Sequence, residues 1–122
     1  MLRDDAKGTQ QSFTLIDTSV LLSISSAAGE LFLGAAAVHG LIIFAPHNAD
    51  GVGVFDVNSS TFAFVDISGD LTTDSKFDGA TTVSDDVVVF APYDADSVGA
   101  FNAATSVFSL VTISSIIDTC LL

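Results

Sequence analysis

A chain of 122 residues fits one domain of ordinary size, and 49% hydrophobic residues, ten of them Phe, are enough to build an ordered core. Three basic residues against fifteen acidic ones give a net charge of −12. That balance excludes nucleic acid, whose binding depends on Lys and Arg neutralising phosphates, and argues against anionic membrane surfaces, leaving basic proteins and divalent cations as the matched partners.

The first eleven residues, MLRDDAKGTQQ, carry acids where a signal peptide carries only bases. No clear signal peptide is read, and the chain is expected to be soluble; an extracellular location is compatible with it, and the compartment is unassigned. Ser12–Ser19, SFTLIDTS, reads as a strand. A helix is arguable only around Val20–Leu33. Leu31–Pro46 is apolar for 16 residues, but a bilayer span needs about 20, and the stretch contains His39 and two glycines.

From Gly34 the chain alternates short apolar runs with turn residues. Gly34–Val38 is a strand, HG a turn, and Leu41–Ala45 a second, β-branched strand. PHNADG is a loop, with Pro ending the strand and Asn, Asp and Gly shaping the turn. Val52–Val57 and Thr61–Ile67 follow, joined by NSS. The pattern then repeats as Gly79–Val83, Val87–Ala91, Val98–Ala103 and Val107–Ile113. Leu41–Ser68 aligns with Val87–Ser114 without a gap at a register of 46 residues, 13 of 28 positions being identical. The second copy reads GATTVSDDVVVFAP where the first reads GAAAVHGLIIFAP. Two adjacent aspartates do not sit cheaply in a bilayer, so neither copy is expected to insert into a membrane.

Four antiparallel strands in 46 residues are the unit of a β-propeller blade. The expected fold is all-β: two four-stranded antiparallel propeller-type blades, residues 32–68 and 77–114, with a spare outer strand at 12–19 and a tail at 115–122, in a single repeat domain spanning 1–122. A β-sandwich of about nine strands also fits the length but leaves the repeat unexplained. The spare strand matches Thr61–Ser68, the outermost strand of its copy, and is expected to pair as an outer strand, Phe13 and Leu15 on one face.

Gly79-Ala80, Phe90–Asp96 (FAPYDAD), Val52–Asp56 (VGVFD) and Asn102–Thr105 (NAAT) together resemble an algal and protist repeat family described as kelch-like. The chain departs from the family at Val57 and Ala103, where a Pro is usual, and lacks the usual Lys after the first turn. The resemblance implies propeller blades and no reaction.

Propellers close with four to eight blades, and two leave apolar faces and strand edges open. The chain is therefore expected to act as a non-enzymatic binding or structural scaffold. It either self-assembles as a homo-oligomer, in a ring or fibre, or contributes blades to a larger propeller. The loops at one end would present His47, Asn48, Asp50, Tyr93, Asp94 and Asp96, joined by Asp70 and Asp74 from between the blades. This acidic face is the alternative functional reading, a carbohydrate- or Ca²⁺-binding module, with Asp50, Asp70, Asp74, Asp94 and Asp96 as metal ligands and glycans or basic proteins as partners. No EF-hand spacing, zinc set or catalytic motif is present, so no cofactor other than Ca²⁺ is implied. Asn58-Ser59-Ser60 is a glycosylation sequon in an expected hairpin.

Overall fold

The computed structural model describes residues 13–17 and 29–112. Among the described residues eight strands are formed: β1 Phe32–Val38, β2 Leu41–Pro46, β3 Gly51–Asp56, β4 Thr61–Asp66, β5 Phe77–Thr82, β6 Val87–Pro92, β7 Ser97–Asn102 and β8 Val107–Thr112. They make two four-stranded antiparallel sheets, ordered β1-β2-β3-β4 and β5-β6-β7-β8. The described residues are all-β, and each sheet is one copy of the repeat. Among the described residues no helix is long and apolar enough to cross a membrane.

The turns follow from the residues at their corners. His39 and Gly40 both take positive φ, 49° and 73°, which suits a two-residue hairpin between β1 and β2. In the β3–β4 turn the Asp56 carboxylate accepts the backbone N–H groups of Asn58 (2.9 Å) and Ser59 (3.2 Å). Asn102 does the same for Ala104 (2.9 Å) and Thr105 (3.1 Å) in the β7–β8 turn. Ser60 and Ser106 close the two turns at φ 56° and 57°. A short side-chain acceptor thus shapes each turn, and Val57 and Ala103 follow it where the resemblance leads one to expect a proline. Pro46 and Pro92 are the last residues of β2 and β6.

Each sheet has an aromatic side and an aliphatic side. In the first sheet Phe32, Phe44 and Phe62 cluster with ring centroids 5.9–6.2 Å apart. Ile43, Ala45 and Val52 lie on the opposite side. The second sheet repeats this with Phe77, Phe90 and Phe108, 5.6–6.3 Å apart. The core forms where the aliphatic side of the first sheet meets the aromatic side of the second: Ile43, Ala45, Val52, Phe77, Val88, Phe90 and Phe101 are all buried there. The sheets approach most closely at β1 and β5. A Cβ on Gly34 would lie 2.5 Å from the Gly79 Cα, so the crowding expected at the first strand is real. Both glycines have positive φ, 87° and 110°, at a shift in strand register.

Residues 13–17 belong to neither sheet, and Phe13 and Leu15 are 85% and 81% exposed. The expected pairing as an outer strand is therefore not made by this part of the segment within one chain. Its sequence imitates β4, whose place is beside a third strand, but β3 and β7 already have neighbours on both sides. Ser12, Thr18 and Ser19, the last residues of the second repeat, the tail at 115–122 and residues 20–28 of the segment Val20–Leu33, where a helix is arguable, lie outside the described residues; the remainder of that segment is not helical, and Phe32 and Leu33 open β1.

Candidate functional site

The loops singled out in the sequence, His47–Asp50 and Tyr93–Asp96, sit in equivalent places after β2 and β6. Each is tied to its own sheet in the same way. The backbone N–H groups of His47 and Ala49 donate to the Leu31 carbonyl (2.8 and 3.1 Å), and that of Asn48 donates to Glu30 (3.2 Å). Tyr93 and Ala95 donate to the Lys76 carbonyl (2.9 and 3.3 Å), and Asp94 donates to Ser75 (2.8 Å). The copies are therefore built alike up to this point.

The first loop has a second set of bonds, which reach the segment leading into β5. The Lys76 backbone N–H donates to the His47 carbonyl at 2.8 Å. His47 Nδ1–H donates to the Phe77 carbonyl at 2.8 Å, which fixes the imidazole tautomer. The Asn48 side-chain oxygen accepts the Ser75 backbone N–H at 2.8 Å. Lys76 Nζ donates to Asp50 Oδ1 at 2.9 Å. Lys76 is completely buried, and Asp50 keeps 24% of its side-chain surface. A buried ammonium is tolerable only with such a partner, so the pair pins one sheet to the next. The loop is a clasp, and Ser75-Lys76-Phe77 is what it holds.

Around the second loop the same positions face outward. Tyr93 is 62% exposed, its ring resting 5.6 Å from that of His47. Asp94 and Asp96 are exposed, and Asp96 Oδ1 accepts the Ser97 hydroxyl at 3.2 Å. Asp70 and Asp74 are exposed on the β4–β5 connection. Among the described residues no three His, Cys, Asp or Glu side chains converge in a way that would hold a metal. Asp50, proposed from sequence as a ligand, faces an ammonium instead. Asn58 is exposed at the tip of the β3–β4 turn. Asp66, at the exposed end of β4, is held below the usual carboxylate range by hydrogen bonding from Ser68.

The opposite end of the sheets carries a lighter tie. His39 Nε2 lies 3.3 Å from Asp86 Oδ1 beside an open groove of about 400 Å³, and Thr82 Oγ1 donates to the Ala37 carbonyl at 2.6 Å. Both partners of the His39–Asp86 contact are more than 40% exposed, so it adds little.

Lys76 is the member of the clasp that the sequence does not single out. Its signal was scarcity: it is one of three basic residues in the chain, placed directly before a strand. The arrangement as a whole grips a neighbouring strand. No protein-family model, curated protein or solved structure matches this chain.

Proposed function

We propose that this chain is a non-enzymatic, propeller-type repeat scaffold, akin to the kelch-like family its loops resemble, which self-assembles by stacking blade upon blade. One observation carries the reading: the packing between its two sheets is left half-made at both ends. Ile43 and Val52, on the aliphatic side of the first sheet, are fully buried, while their counterparts Val89 and Val98 on the second are only half-covered. Val89, Val98, Ala91 and Pro92 line an apolar groove of about 230 Å³ on that open side. At the other end Phe32 and Phe44 are half-buried, whereas their counterparts Phe77 and Phe90 in the second sheet are fully covered. An open aliphatic side and an open aromatic side are the two halves of the contact already made once inside the chain. Light scattering over a concentration series tests this. Particles several times the 12.5 kDa chain mass are expected. A cooperatively folded chain that stays monomeric at high concentration overturns the reading.

A further inference from the structure

We propose that the loop Tyr93–Asp96 is a docking site for a lysine-bearing blade of another polypeptide, whose Lys-Phe step seats its ammonium on Asp96. The inference rests on the stacking reading and names the chemistry of the partner that stacks best. The argument begins with the occupied copy. In the first clasp Asp50 takes Lys76, Asn48 takes the Ser75 N–H, and Phe77 follows into the aromatic cluster. The second clasp keeps each acceptor at the 46-residue register: Asp96 stands for Asp50 and Asp94 for Asn48. It therefore has two carboxylates where the first has one, and both are exposed. The apolar groove lined by Ala91, Pro92 and Val98 adjoins it, as Ala45, Pro46 and Val52 adjoin the first.

A second copy of this chain can stack on this side but leaves the acidic pair without a cation. Its equivalent of Ser75-Lys76-Phe77 is Glu30-Leu31-Phe32, which brings a carboxylate and an isobutyl group to a pair of acids. The chain's own residues 113–122 contain no lysine or arginine, and Lys7 is followed by Gly8 where the clasped lysine is followed by phenylalanine.

The test uses full-length chains as donor and acceptor. Trace-labelled wild-type acceptor is titrated with either of two donors, Asp96→Asn, which offers Leu31, or Leu31→Lys/Asp96→Asn, which offers a lysine. Asp96→Asn in both donors removes their own clasp acid. The lysine donor should bind at least about tenfold more tightly, since its bond is charge-assisted. The preference should vanish when the acceptor carries Asp96→Asn. Equal binding of the two donors overturns the proposal while leaving stacking intact, and no binding by either overturns both. A peptide with the sequence Asp74–Thr82 makes the comparison without altering the protein. It should shift the Tyr93 and Asp96 amide resonances, and its Lys76→Leu form should not; identical or absent shifts with the two peptides overturn the proposal.

Discussion

Two glycines at equivalent positions of the repeat carry different burdens. A side chain on Gly34 would strike the Gly79 backbone, which has no rotamer to escape into, and would also be held at φ 87°. A side chain on Gly79 would meet open space and bear only the strain of φ 110°. Gly34→Ala should therefore cost about 2–5 kcal/mol and Gly79→Ala about 1–2 kcal/mol. Urea unfolding midpoints measure both, and equal losses would disprove the asymmetry. A related trade of volume separates the two copies. A Cβ on Gly51 would lie 2.4 Å from the Phe64 ring, and where the second copy has Ser97 in place of the glycine it has the smaller Leu110 in place of the phenylalanine.

At the level of elements, the link between the sheets depends on a charge that cannot be left alone. Asp50→Ala strands the buried Lys76 ammonium and should cost about 3 kcal/mol. Lys76→Met removes the charge along with the bond, leaves the backbone hydrogen bonds of the clasp in place, and should cost about 1 kcal/mol or less. Denaturant titration of the two variants checks the order, and a larger loss for Lys76→Met would contradict this account. The strands themselves were legible in sequence, their bounds within about two residues, because β-branched alternation and Asn, Asp and Gly corners occur twice at one register. The clasp was not legible. Its ionic contact joins residues 26 apart in different copies, and comparing the copies hides it because Leu31 stands where Lys76 would be sought. The segment at 13–17 misled for a related reason: resemblance to an outer strand identifies a shape, and the shape finds no unfilled third strand in its own chain.

At the level of the whole molecule, equivalent substitutions should have unlike consequences. Val52 is fully buried between the sheets, and its counterpart Val98 lies on the uncovered side of the second. Val52→Asp should abolish folding, since it buries an unpaired carboxylate. Val98→Asp should leave the circular dichroism spectrum intact and shift sedimentation to the single chain. Unfolding by Val98→Asp, or undiminished assembly, would contradict the proposed contact. The unlike sides of the sheets also restrict symmetry. A twofold axis through either open side would bring phenylalanines onto phenylalanines or valines onto valines, whereas the contact inside the chain joins one kind to the other. Copies repeating that contact must all point the same way, so the resulting body either closes as a cycle or has two chemically distinct ends. Blocking the aliphatic end then halts growth in one direction and leaves the aromatic end able to accept a partner.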